Sequence, residues 1–311
     1  MWTPGASFRG PLPPSSARQQ TLSDELREDV DLLANKIGPR SSAHHMKLTR
    51  AADAITTSMC AAGYEVNLHP YSIFDANYTN IEVQITGTHT PQEIVIIGAH
   101  YDSVGGSPGA NDNASGVAAL LALARSFAPS QPHRTLRFVA FVNEEPPYFQ
   151  TDHMGSLVYA RRCKAQNENV AAMLSFDGLG YYSDQPNSQA YPFPFNLLYP
   201  TRANFIGFVG NLSSRTLVRK VIGSFRRHTQ FPSEGAAMPA VVPEVGWSDH
   251  WSFWQHGYPA LMVTDTLPFR YPHYHSAQDT IDKIDFDRMA RVVDGLEMVI
   301  ADLTGTGGSG Q

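Results

Sequence analysis

Seven residues of this chain have the types and spacing to do metal chemistry: His100, Asp102, Asp112, Glu144, Glu145, Asp177 and His275. All but His275 follow segments that read as buried strands. Residues 93–100 form a short apolar run ending in His100. Residues 135–142 lead into Asn143-Glu144-Glu145, and residues 171–176 into Asp177. Open α/β sheets bind ligands beyond the carboxyl ends of their strands, so these positions predict one site at one sheet edge. Two imidazoles, three carboxylates and a spare glutamate make a nitrogen and oxygen donor set. Such a set suits zinc, and also manganese or cobalt. One bridging carboxylate with two ligands on each side would make a paired-metal site.

Each residue has a blander reading. A lone histidine leaving the core is more often a satisfied core residue than a ligand. His100-Tyr101-Asp102 tips the balance, because a carboxylate two residues on can orient a liganding imidazole. Asp112 lies in Gly109-Ala-Asn-Asp-Asn-Ala-Ser-Gly116, which as a turn and helix start needs only a cap. Ser115 is the expected cap, which leaves Asp112 free. Adjacent Glu144 and Glu145 repel each other unless cations or water absorb their charge. Asp177 alone would pass for a turn residue and His275 for a surface histidine. Ser248-Asp249-His250 invites a serine-hydrolase reading, but adjacent residues cannot converge as a triad does. Ser248 is expected to cap a helix, and Asp249 or His250 to support the site from behind. Trp247, Trp251 and Trp254 read as core and pocket wall rather than a nucleic-acid platform.

The elements that must hold these residues alternate. Helical periodicity covers residues 23–37, 48–62 (ended by Gly63), 115–127, 155–163, 213–226 and 286–303. Strands fit residues 64–71, 81–85, 93–100, 135–142, 171–176, 203–209 and 260–264, with 81–85 alternating as a half-buried strand should. This order predicts an α/β fold: a single-domain α/β/α sandwich around a mostly parallel mixed sheet, with the site at the strand C-terminal ends. Residues 1–20, rich in proline, read as an extended arm, 21–304 as the domain and 305–311 as a frayed tail.

The chain resembles the zinc aminopeptidases of peptidase family M28, over nearly its whole length from Leu22 to Leu303. The matching pieces are His100-Tyr-Asp-Ser103, Gly109–Gly116, Asn143-Glu-Glu145, Gly155-Ser156, Phe176-Asp-Gly-Leu-Gly180, Ser248-Asp-His250 and Tyr274-His-Ser-Ala-Gln-Asp-Thr280. The resemblance implies two zinc ions per chain. Asp112 would bridge them, His100 and Asp177 would complete one, and Glu145 and His275 the other. It makes Glu144 the general base rather than a ligand. It sets Asp102 behind His100, and gives Tyr274 a part in polarising the scissile carbonyl. A cis peptide after Asp112 is expected too. The implied activity is an aminopeptidase acting on peptides with a free N-terminus. The alternatives are a single-zinc enzyme like the glutaminyl cyclases, or a carboxypeptidase or dipeptidase on the same fold. Two departures stand out. Residues 146–154 insert a loop, with Tyr148 and Phe149 available to substrate, and Gly178 replaces a bulkier residue and would leave local space.

Bulk properties set limits. Of 311 residues, 42% are hydrophobic and 17% charged, enough for a large core. The net charge of −6 and the lack of any long basic stretch argue against nucleic acid as a partner. No apolar run reaches membrane-spanning length. The first twenty residues lack the apolar centre of a signal peptide, so the chain reads as cytoplasmic as written and extracytoplasmic if a leader was trimmed. Cys60 and Cys163 are too few for a cysteine zinc site, and both are expected to be buried thiols.

Overall fold

The computed structural model describes residues 3–191 and 195–306. Eight strands form one mixed sheet: β1 (Asn67–Ile73), β2 (Ala76–Ile85), β3 (Thr90–His100), β4 (Arg134–Phe141), β5 (Asn169–Phe176), β6 (Ile206–Asn211), β7 (Ser233–Met238) and β8 (Ala260–Thr264). Their spatial order is β1-β2-β4-β3-β5-β8-β6-β7. The four central strands β4, β3, β5 and β8 run parallel, while β2 and β6 pair antiparallel with them. The helices are α1 (Ala17–Val30), α2 (His45–Ala61), α3 (Gly116–Phe127), α4 (Gly155–Ala165), α5 (Arg215–His228), α6 (His250–Gln255), α7 (Leu267–Arg270) and α8 (Phe286–Thr304).

The alternation of apolar residues divides two cores. Val95, Ile97 and Ala99 of β3, with Leu136, Phe138 and Ala140 of β4, face the larger core under α1, α2, α3, α5 and α8. Ile94 and Ile96, with Val139 and Phe141, face a smaller core with Tyr159 and Cys163 of α4 and Phe253 of α6. Central strands covered on both faces need continuous apolar runs, which is what residues 94–99 supply.

Several expectations need correcting. Helix α1 starts at Ala17, inside the stretch read as an arm, with Ser16 and Gln19 forming a reciprocal cap; it passes into a wider π-type turn over Asp31–Ile37. Strand β2 does not alternate. Asn80, Ile81, Glu82 and Val83 are all buried, because α2 covers one face and α4 the other. Glu82 on that strand accepts the Tyr159 hydroxyl at 2.6 Å and lies beside His69 and Arg137. The strand expected over 203–209 runs Ile206–Asn211. Strand β7 was not expected at all. Cys60 is exposed and only Cys163 is buried, both as free thiols. Of the expected tail, residues 307–311 lie outside the described residues.

The two sheet borders differ. Strand β1 carries Pro70, which has no N–H to offer an incoming strand. At β7, the N-terminal arm crosses the border: Ser7 Oγ accepts Ser233 N–H at 2.9 Å. Arg226 donates to Thr3 Oγ1 and to the carbonyls of Pro4 and Gly5. No helix among the described residues is long and apolar enough to cross a membrane.

Candidate metal centre

The three parallel neighbours β4, β3 and β5 end at one edge, and each delivers a side chain there. Strand β3 ends in His100, β4 is followed by Glu144 and Glu145, and β5 by Asp177. Asp112 arrives from the loop entering α3, and His275 from the loop after α7. The structure thus brings together His100, Asp112, Glu144, Glu145, Asp177 and His275.

Two triads of donor atoms result. Those of His100, Glu144 and Asp177 lie within 4.8 Å of one another, and so do those of Asp112, Glu145 and His275. Asp112 faces both. Its Oδ1 is 3.4 Å from His100 Nε2 and its Oδ2 is 3.2 Å from His275 Nε2. Asp177 Oδ1 is 3.7 Å and Glu144 Oε2 3.8 Å from His100 Nε2. Glu145 Oε2 stands 3.2 Å from His275 Nε2, while its Oε1 accepts Val104 N–H at 3.0 Å. No hydrogen bond reaches the Glu144 carboxylate from the described residues.

Four buried carboxylates carry more negative charge than two imidazoles can balance. Burial, with the charges of Asp177 and Glu145, holds the Glu144 carboxyl well above its usual range. Burial and the Asp112 charge push Glu145 to about 7. Burial raises Asp177. Burial would lower both imidazoles, but the carboxylates facing them win: His100 is held well above its usual range and His275 rises to about 10. The two imidazoles hold Asp112 below the usual range against its own burial. A mixed nitrogen and oxygen set in two clusters sharing one carboxylate fits borderline dications.

The surroundings fix these groups. Asp102 does not bond His100 through its carboxylate, which lies 3.6 Å from Nδ1; the nearer atom is its backbone oxygen, at 3.2 Å. The carboxylate instead accepts the backbone N–H groups of Glu144 and Glu145 at 3.2 and 3.1 Å. Asp249 is fully buried behind the site, and burial lifts it to about 7. Tyr274 stacks on His275, ring centroids 3.8 Å apart. Burial and the nearby carboxylates keep its phenol protonated, hence a donor. The Asp112–Asn113 peptide is cis.

Three local expectations give way. Ser115 is already helical and caps nothing; its hydroxyl donates to Asn111 O and accepts Leu179 N–H. The side chain that accepts Gly116 N–H is Asn113. Ser248 does not cap α6 either, because its hydroxyl pairs with that of Ser175 at 3.0 Å. Gly178 leaves no space: at φ +65°, an added Cβ would stand 2.4 Å from Leu267 Cγ.

Sequence reasoning missed two organisers of the site. The Asp279 carboxylate accepts the N–H groups of Asn111 and Asp112 and the Tyr271 hydroxyl. Its place in the same segment as His275 was the available signal. Arg40, fully buried, donates to the carbonyls of Tyr101, Pro108 and Gly109. It stitches the His100 loop to the Asp112 loop, and nothing in its neighbours along the chain points to that.

Beside the cluster opens a cavity of about 410 Å³. The smaller-core face is covered by α4 and α6 as far as β5 and β8; past them the segment 243–246 packs on β6, and the cavity lies between the sheet and residues that include Tyr191, Tyr199 and Trp247. Thr264, Gly207 and Glu234 form one row of the cavity floor, and Met262, Val209 and Ala236 the next. From the inserted loop, Phe149 reaches the cavity wall, as does Trp247. Tyr148 packs instead against Tyr78 and His153. Gln150 Nε2 donates to Gly246 O, tying the inserted loop to the segment carrying Trp247.

The family model for peptidase family M28 matches residues 80–300, which span every strand from β2 to β8 except the start of β2. The chain belongs to peptidase family M28. As an M28 member it is a hydrolase acting on peptide bonds. YfbL, an uncharacterized protein of Escherichia coli (strain K12), is 36% identical over 91% of this chain and 88% of its own length. A probable leucine aminopeptidase of Trichophyton verrucosum is 31% identical over 68% of this chain and 53% of its own. The chain thus spans about half the length of that relative. Among solved structures, BSAP, a zinc aminopeptidase from Bacillus subtilis, superposes with a TM-score of 0.71 at 16% identity, covering 93% of this chain and 96% of that one. A glutaminyl cyclase of Tannerella forsythia gives 0.65 at 19%, covering 89% and 97%. At such identities these two likenesses show a shared fold.

Proposed function

We propose that this chain is an aminopeptidase that holds two zinc ions between its two triads. The observation carrying this reading is the placement of Asp112, whose two carboxylate oxygens each face a different histidine. His100 and Asp177 would hold one ion with Asp112, and Glu145 and His275 the other. The names of the Bacillus subtilis enzyme and the Trichophyton relative favour zinc and N-terminal cleavage. When bound, zinc supplies Lewis acidity that makes a water easier to deprotonate and polarises a carbonyl.

The residues divide the remaining work. Glu144 has a carboxylate that no hydrogen bond from the described residues engages and that lies beside the clustered ligands, so it is placed to take a proton from the attacking water and deliver it to the leaving amine. Tyr274, kept protonated, offers its phenol O–H to the carbonyl oxygen. The free α-amine of the substrate would bind at the metal–carboxylate cluster, which favours a chain end over an internal bond. Asp102 keeps Glu144 and Glu145 in register by holding their backbone amides.

Zinc content of the purified chain, measured with hydrolysis of leucine p-nitroanilide and arginine p-nitroanilide before and after chelation, tests the reading. About two ions per chain and activity restored by zinc are expected. One ion, no anilide hydrolysis and cyclisation of an N-terminal glutamine would replace it with the cyclase reading.

A further inference from the structure

The cavity beside the metal centre is larger than a leucine side chain needs, and its charges are one-sided. Away from the clustered ligands it carries Glu234 and Glu244, and no lysine or arginine is among its described lining residues. Glu234 sits on the floor. It pairs with Gly207, which pairs with Thr264, and both line the same face. Gly207 in the middle of that row adds no side chain of its own between Thr264 and Glu234, with the Thr266 methyl 3.4 Å from where a Cβ would stand.

Glu234 has one ion-pair partner among the described residues, and that one stands at the edge of contact. Arg226 approaches its Oε2 no closer than 4.0 Å. That guanidinium directs its donors to Thr3, Pro4, Gly5 and Ser233. Burial holds the carboxyl above its usual range, against the opposing charges of Arg226 and Arg9 and a hydrogen bond from Ser7. Tyr191 and Tyr199, with centroids 5.8 Å apart, line the cavity with Phe269. Aromatic faces suit the stem and head of a cationic side chain.

The reach also fits. Phe176 pairs with Val263, so Thr264 stands level with Asp177. From β5 across β8 and β6 to β7 is three strand spacings, about 14 Å. A substrate's α-amine and scissile carbonyl would occupy the part nearest Asp177. A long side chain is needed to cover the remainder, and leucine ends short of it.

We propose that this cavity selects peptides with an N-terminal arginine or lysine, whose cationic head is received by Glu234. This rests on the aminopeptidase reading above. Glu234 is thus a specificity-determining residue, apart from the groups that break the bond.

The test compares kcat/KM for arginine, citrulline and leucine p-nitroanilides on the zinc-loaded full chain and on Glu234→Gln. Citrulline keeps the shape of arginine without its charge. Arginine is expected to exceed citrulline and leucine by about 10- to 100-fold, the range of a charge-assisted hydrogen bond. Glu234→Gln should bring the ratios close to one. Leucine ahead of arginine, arginine equal to citrulline, or unchanged ratios in the variant would overturn the proposal. If the variant does not fold, the arginine-to-citrulline ratio of the unaltered protein decides alone. If no anilide is cleaved, the aminopeptidase reading falls, and calorimetric binding of argininamide against citrullinamide decides the pocket. Tighter argininamide binding supports it and equal binding overturns it.

Discussion

The carboxylate of Asp279 accepts the backbone N–H of Asp112 at 3.1 Å, four residues along the chain from His275. One segment therefore supplies a candidate ligand and also grips the residue that faces both triads. Asp279→Ala would free the Asn111–Asp112 amides and loosen Asp112. Metal affinity should fall about 10- to 100-fold, as for other residues that orient ligands. Zinc retained against a competing chelator measures this, with circular dichroism to confirm an intact fold. Unchanged retention would mean the loop holds itself.

Glu144→Gln keeps the shape of a side chain that makes no hydrogen bond to the described protein. Zinc content and thermal midpoint should stay near those of the unaltered chain, while turnover drops roughly 10²- to 10⁴-fold. Near-native turnover at full metal content would remove Glu144 from the proton-transfer role.

Burial pulls the His250 imidazole from 6.5 down to about 4, with Nε2 facing Val245 O at 2.8 Å. The unfolded chain therefore binds more protons than the folded one in that window. The stability carried by the neutral ring is full above about pH 6.5 and is lost as pH falls through 4, roughly 3 kcal/mol in all. Urea midpoints of the unaltered protein and of His250→Gln, followed from pH 7.5 to 4, check this. The variant should show a shallower decline, and parallel curves would refute the assignment.

Gly178 combines a left-handed backbone, φ +65°, with Leu267 pressed against it. Gly178→Ala should cost about 1–3 kcal/mol by urea unfolding. Adding Leu267→Ala to it should relieve the contact but not the backbone strain. No loss in the single variant would show that the loop yields.

Much of this was legible from the chain, for reasons that differ by element. Strands β3, β4 and β5 are covered on both faces, so their apolar runs stand out, and the acidic residues after them mark one sheet edge. Strand β7 was invisible. Its Ser-Glu-Gly-Ala-Ala-Met carries no β-branched residue, since one face lines a cavity and its border is closed by the arm. Residues 81–85 misled because a buried Glu82 counts as polar in any periodicity, while tertiary partners make it a core residue. Ser115 and Ser248 failed as caps because hydroxyls that look free in one dimension meet distant partners, Leu179 and Ser175. Arg40 shows the same limit: its three carbonyl partners lie 61 to 69 residues away.

The two borders of the sheet have a consequence for how this protein behaves in a crowd. Pro70 withholds a donor at one margin, and residues 3–7 shield the other. An open margin of unpaired amides would be a template on which further copies could add, strand to strand. Detaching the leading segment, by trimming or by a fusion that pulls Thr3 and Ser7 away from Arg226 and Ser233, would bare β7 and turn a self-limiting sheet into one that can grow.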